Sequence, residues 1–261
     1  MLIPIGDDDR SLNGPAFVTL GILGLNAIVF FLLQDAGTNA AFTYGWSVIP
    51  QELTQQVDLV QAQTVETRGR EVTIPQEPGP SPIYLTVLTA MFMHGGYAHL
   101  FGNLLYLWIF GDNVEQRMGV LGFAGFYLAC GAAATAAQVL LNPSGVIPNL
   151  GASGAISGVL GAYIIFFPRN RVHALFFYYI VSVPAFVAIG IWIVFQFFNG
   201  VGAAVASEAT LGGVAYGAHI GGFVAGVAIA GAVRWLGSPS DPRTGRDVVA
   251  ERYENQHNAH R

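Results

Sequence analysis

The chain has no lysine: all eleven of its basic residues are arginine. It has one cysteine, Cys130, so no disulfide can form within it. Cys130 lies in an apolar run and reads as a small packing residue. Charge is scarce, at 10% of residues, against roughly 25% in soluble domains. That scarcity excludes an ordinary water-exposed surface and points to an integral membrane protein. A net charge of -5 leaves no basic face for nucleic acid. The string His-Glu-x-x-His of zinc proteases is absent, and no metal or other cofactor is expected. Also absent is the Gly-x-Ser-x-Gly elbow of soluble hydrolases, which would need glycine where Ala155 stands. No basic stretch precedes the first apolar run, only Asp7, Asp8, Asp9 and Arg10, so that run does not read as a signal peptide.

What is abundant is apolar: 53% of residues are hydrophobic, and 33 are glycine. Six runs approach bilayer length, at 15–34, 97–113, 119–141, 152–167, 174–198 and 209–236. The expectation is an all-α integral membrane bundle of six transmembrane helices. Its domain would be 15–236, after an N-terminal segment 1–14 and before a polar tail 237–261. A long first loop, 35–96, would lie partly in the membrane, with Tyr44 and Trp46 at headgroup level. With six spans both termini share a side. That side collects Arg10, Arg117, Arg169, Arg171, Arg234, Arg243, Arg246, Arg252 and Arg261, against Arg68 and Arg70 opposite. The asymmetry favours cytoplasmic termini, in what is expected to be a bacterial plasma membrane.

Two polar motifs interrupt these runs. Gly151-Ala152-Ser153-Gly154 opens the fourth, and Ala218-His219-Ile220-Gly221-Gly222 lies within the sixth. Taken alone, Ser153 reads as a helix cap and His219 as a satisfied core histidine. Together they read as nucleophile and general base, because a serine hydroxyl needs a base to take its proton and an intramembrane histidine is costly unless used. No Asp or Glu shares their runs, so the expected unit is a dyad. The fourth run is short, about 24 Å at 1.5 Å per residue, against a hydrocarbon core of about 30 Å. Ser153 would therefore sit below the outer surface, at the floor of a water-filled cavity. The irregular segment from Asn142 to Asn149 would dip in beside it. His219, about ten residues into its run, would be about 15 Å along its helix.

A third cluster, His94, His99 and Asn103, opens the second run. His99 and Asn103 are spaced i, i+4 and share a face. With the Ser153 backbone N–H they could donate to an oxyanion; they could equally be a polar interhelical contact. Glycine pairs Gly154/Gly158 and Gly222/Gly226, with Gly213, Gly217 and Gly221, make small-residue faces on which helices approach closely. Asp112, Glu115 and Arg117 read as a structural ion-pair network at the inner end of the second run.

The string from Met93 to Asn103, then Glu115 to Gly119, Gly151 to Gly154 and Ala218 to Gly226, resembles the rhomboid family of intramembrane serine proteases over about 40–236. The resemblance implies Ser153 as nucleophile and His219 as base. It implies His99, Asn103 and the Ser153 backbone as oxyanion hole, and His94 in a hydrophilic cavity. Glu115 and Arg117 would hold the inner end of the second helix. Substrates would be single-span membrane proteins in the lipid bilayer, cut with no cofactor. Two departures stand out. Ser157 occupies a position where many relatives carry a tyrosine that stacks on the histidine. No Trp-Arg pair occurs in the long first loop. Two rival readings are an inactive rhomboid-like protein that binds membrane clients, and a six-span transporter, for which no internal repeat is visible.

Overall fold

The computed structural model describes residues 2–8, 14–67, 70–205 and 215–236. In chain order the elements are β1 Leu2–Asp7, α1 Phe17–Ile28 continued by a π-helical turn Val29–Leu33, α2 Ala40–Gly45, α3 Pro50–Gln55, β2 Gln63–Thr67, β3 Arg70–Ile74, α4 Leu85–Thr89, α5 Tyr97–Met118, α6 Val120–Leu141, α7 Ser153–Phe166, β4 Arg171–Phe176, β5 Tyr179–Pro184, α8 Ala185–Val205 and α9 Tyr216–Leu236. Among the described residues α6 and α9 are each long and apolar enough to cross a bilayer, and α1, α7 and part of α8 are shorter apolar helices. The tail 237–261, Gly213 and the arginines at 10, 68, 243, 246, 252 and 261 lie outside the described residues.

The all-α expectation is corrected: β1, β4 and β5 form an antiparallel sheet in the order β1-β4-β5, and β2 pairs with β3. The run at 174–198 is therefore not one helix. Its first part is a hairpin whose buried and exposed residues alternate along β4, and helix resumes only at Ala185, after Pro184. Apolar residues fill both faces of the strands near the turn, which hides the alternation in the sequence. The N-terminal segment is likewise no free tail, since Leu2 pairs with Phe176 and Asp7 with Val172. The last run begins as helix at Tyr216, so His219 lies in the first turn of α9 rather than deep along it.

Helix α7 is the axle of the bundle. Every residue from Gly154 to Tyr163 is buried, and its 14 residues rise only about 21 Å. It is held between α6 and α9 by backbone-to-backbone contact. A Cβ on Gly222 would run into the Gly154 carbonyl oxygen, and one on Gly226 into that of Gly158. On the other side a Cβ on Gly154 would lie 2.6 Å from the Ala134 methyl, and one on Gly158 2.5 Å from the Cys130 sulfur. These glycines are needed for want of space, not for backbone freedom.

The far end of the bundle is tied by polar groups. The buried Glu115 carboxylate accepts from Val18 N at 2.9 Å, Thr19 N at 2.7 Å and Thr19 Oγ1 at 2.8 Å. It thus caps α1, whose own N-cap residue, Ala16, has no side chain to do so. Glu115 thus holds the inner end of α5 to α1; Arg117 lies 5.7 Å over the Phe166 ring. Asp7 accepts from Asn113 Nδ2 at 2.9 Å and from the Tyr163 hydroxyl, fastening the sheet to α5 and α7.

At the opposite end the first loop braces the irregular segment before α7. Val48 and Asn149 exchange backbone hydrogen bonds of 2.9 and 2.7 Å, and Gln51 N donates to Gly145 O at 3.0 Å. Gln76 Nε2 reaches Val146 O at 2.8 Å and Thr54 Oγ1 reaches Pro143 O at 2.8 Å. Backbone polar groups without helix or sheet partners are satisfied this way. Within that brace Glu52 is buried, and burial pushes its carboxyl up to about 7; the Leu59 N–H opposes the shift and Asp58 adds to it.

Two expectations follow. Gly222→Leu should destabilise at or beyond the top of the ~1–3 kcal/mol that overpacking costs, because rigid backbone rather than a side chain stands in the way; thermal unfolding in detergent measures it, and a fully stable variant would contradict the packing. For Glu52 the folded pKa stands above its ordinary 4.5. Its contribution is therefore complete below about 4.5 and lost as pH rises through about 7. Glu52→Gln, which cannot ionise, should gain melting temperature over the wild type between pH 5 and pH 8; a difference that stays flat across that window contradicts the burial of a protonated carboxyl.

Candidate active site

Ser153 is the first residue of α7, and Ala152 before it contributes no side-chain cap. The first-turn N–H groups of the helix are thus open, and the positive end of the helix dipole faces the serine hydroxyl. His219 stands in the first turn of α9. The start of that helix is held by α6, because Gln138 Oε1 accepts from Ala218 N at 3.2 Å. The glycine contacts bring the two helix starts together. Ser153 Oγ and His219 Nε2 are 2.7 Å apart, within the range a nucleophile–base pair requires.

The other imidazole nitrogen is also engaged. His219 Nδ1 is 2.8 Å from Gln196 Oε1 on α8. With Nδ1–H donating to that amide oxygen, Nε2 is left as the acceptor for the serine hydroxyl, which is the tautomer a general base needs. One turn earlier on α8, the Trp192 ring lies 5.9 Å from the imidazole, tilted by 37°. Ser157 donates its hydroxyl to Ser153 O at 2.6 Å. The histidine is therefore supported from α8. Gln196 was absent from the sequence-level candidates; its signal was an amide stranded in an apolar run, one turn from a tryptophan.

Across the serine, α5 presents His99 and Asn103. His99 Nδ1 accepts from Gly95 N at 3.3 Å, which leaves Nε2 as the donor. A Cβ on Gly151 would lie 2.8 Å from His99 Nε2 and 3.6 Å from Ser153 Oγ. The space its missing side chain leaves is flanked by both groups. Gly151 also adopts φ +133, a region that favours glycine, and its N–H is pinned to Ala90 O at 2.8 Å. Asn103 is 8% exposed and its Nδ2 has no hydrogen-bond partner among the described residues. A buried donor without a partner is costly, so it stands ready for an incoming acceptor.

His94 lies behind this pair. It is fully buried, edge-on to His99 with ring centroids 5.2 Å apart. Burial, with His99 beside it, pushes its pKa down to about 3, so the ring is neutral at physiological pH. Its backbone is clamped by the buried Gln34 amide, which accepts from His94 N at 2.8 Å and donates to His94 O at 3.0 Å. Gln34 is a second amide that sequence reading did not single out. Glu115 and Arg117 lie at the other end of α5 and do not join the cluster.

A cavity of about 40 Å³ opens on Ser153, lined by Val48, Gln138, Asn149 and Ala218 among others. That is room for about three or four waters at roughly 10–15 Å³ each. The assembly offers a hydroxyl with a base, donors for a developing negative charge, and room for water: the parts of acyl transfer.

Residues 83–235 match the family model described as Rhomboid domain. Rhomboid protein 1, mitochondrial, of Saccharomyces cerevisiae is 31% identical over 150 residues, covering 55% of this chain and 40% of that protein. Rhomboid protease GluP of Bacillus subtilis is 41% identical over 85 residues, covering 33% of this chain and 16% of that protein. Rhomboid-like protein 11, chloroplastic, of Arabidopsis thaliana is 34% identical over 84 residues, covering 32% and 30%. The matched stretches span less than half the length of each of these relatives.

Proposed function

The chain belongs to the rhomboid family, a family of helical integral membrane proteins, whose model covers 83–235 of its 261 residues; from that premise we propose that it is an intramembrane serine endopeptidase. The observation that carries the proposal is the 2.7 Å contact between Ser153 Oγ and His219 Nε2, two helix-borne side chains brought from distant parts of the chain. In the proposed mechanism His219 takes the hydroxyl proton as Ser153 attacks a peptide carbonyl. The Ser153 N–H, His99 Nε2 and Asn103 Nδ2 stabilise the oxyanion. His219 then passes its proton to the leaving amine, and a water from the cavity hydrolyses the acyl-enzyme with the same histidine as base. Gln196 holds the imidazole in the working tautomer, the part a carboxylate plays in soluble triads.

Substrates are proposed to be single-span membrane proteins reached within the bilayer, with cleavage in or beside their span. The protease domain is taken as 15–236, to which the 1–14 segment lends β1. Six spans with both termini on the cytoplasmic side remain the proposed topology. The pairing of β1 with β4 supports it, because both must then lie on the same side of the membrane. Relatives from a mitochondrion and a chloroplast remove the ground for naming a bacterial plasma membrane. The rival reading, an inactive client binder, is disfavoured by the intact Ser153–His219 contact.

Labelling with a fluorophosphonate tests the dyad. The wild type should react, Ser153→Ala should not, and His219→Ala should lose most of the rate, since the pair acts as a unit; wild-type labelling in either variant sinks the assignment. Gln196→Leu should lower kcat at least ~10-fold, a part of the ~10²–10⁴ that a general base contributes, with KM little changed. Gln196→Glu, which keeps an acceptor for Nδ1–H, should recover much of the rate. Equal activity in the leucine variant, or failure of glutamate where leucine is tolerated, contradicts the tautomer role.

A further inference from the structure

The β4–β5 hairpin carries more apolar surface than a hairpin in water tolerates. Phe176, Phe177, Tyr178, Tyr179 and Ile180 are exposed by 42, 69, 95, 74 and 69%. Five consecutive exposed residues of this kind form a contiguous patch, and such patches mark interaction sites.

The base of the hairpin decides where that patch lies. Val172 and Ala174, two apart on β4 and so on one face of the strand, are buried, and Val172 belongs to the bundle core. Pro4 of β1 pairs with Ala174 and is buried too. The sheet therefore lies with one face against the end of the helix bundle. Strands lying flat on that end run across it, not away from it. Both ends of the hairpin are also tied to helices, through the short link from Phe166 to Arg171 and directly from Pro184 into Ala185. The tip must leave the bundle sideways, at the depth of the inner ends of α7 and α8. On the opposite face Arg171 and His173 are exposed, with Arg169 exposed beside them.

We propose that Phe176–Ile180 is an interfacial anchor whose partner is the lipid bilayer. Its rings would sit at the headgroup–acyl boundary of the leaflet on the β1 side, and Arg169 and Arg171 would face lipid phosphates. Mixed phenylalanine and tyrosine suit that boundary, where one end of a ring is apolar and the other wet; exposed arginine suits anionic headgroups. Lipid is favoured over a protein partner because the patch runs directly into α8, whose Phe186, Ile191, Val194 and Phe195 are exposed apolar side chains in a chain of an integral membrane family. The proposal rests on the membrane-spanning character of the family and not on peptide hydrolysis.

A single-cysteine variant, Tyr178→Cys in a Cys130→Ala background, tests it after labelling with an environment-sensitive fluorophore. The protein is reconstituted in phosphatidylcholine–phosphatidylglycerol vesicles, with Phe177→Cys and Tyr179→Cys as parallel sites and Thr64→Cys, on the exposed face of β2, as the aqueous control. Lipids carrying a spin label high on the acyl chain should quench the tip at least two-fold more than they quench Thr64→Cys. Iodide should quench the control and spare the tip, at every protein-to-lipid ratio. Iodide quenching equal to the control overturns the proposal. Protection that appears only as the protein-to-lipid ratio rises overturns it as well, and assigns the patch to a second copy of the chain. Neither outcome depends on whether Ser153 reacts with a fluorophosphonate.

Discussion

Close approach of α7 and α9 is the constraint on which the site depends. A serine and a histidine at the starts of two helices meet within 2.7 Å because the helices touch by backbone, Gly222 against Gly154 and Gly226 against Gly158. In lipid there is no hydrophobic force pressing helices together, so packing of small residues carries the association. The same glycines leave α7 without side chains on its contact face. They leave α7, only 14 residues long, buried without a break from Gly154 to Tyr163, with the serine at its first position.

Irregular backbone at the mouth of the site imposes a second requirement. The segment from Asn142 to Ala152 satisfies only some of its own polar groups, and the first loop serves others through Val48, Gln51, Thr54 and Gln76. The loop is thus part of the scaffold that holds the candidate site, and not only a connection. It also carries a burden, because Glu52 is buried with a carboxyl that resists ionisation. Stability at this edge of the molecule is thereby linked to pH, independently of any titration at the site.

Support of the histidine shows how one geometry tolerates different residues. Where α7 offers only Ser157, which turns back to the Ser153 carbonyl, α8 supplies both a ring and an acceptor from successive turns, Trp192 and Gln196. The requirement is physical: one imidazole nitrogen must donate so that the other can accept. Any neighbouring helix that presents an acceptor at the right height can meet it. Glu115 makes the parallel point at the other end of α5, where its carboxylate caps α1.

By itself the sequence determined the membrane class, from its poverty in charge. It also placed Ser153 at a helix start and His219 beside a glycine face, and it grouped His99 with Asn103. These are local properties, set by composition, by helical period and by the lack of a side chain at glycine. Only the tertiary structure decided what each polar group meets. It brought Gln196 to His219 and Gln34 to His94, and it put Glu115 under α1. It also turned residues 171–184 into a hairpin, because β1, distant in sequence, is there to pair with β4. Hydrogen-bond partners and strand pairing depend on groups far apart along the chain, and no period in a single run of residues encodes them.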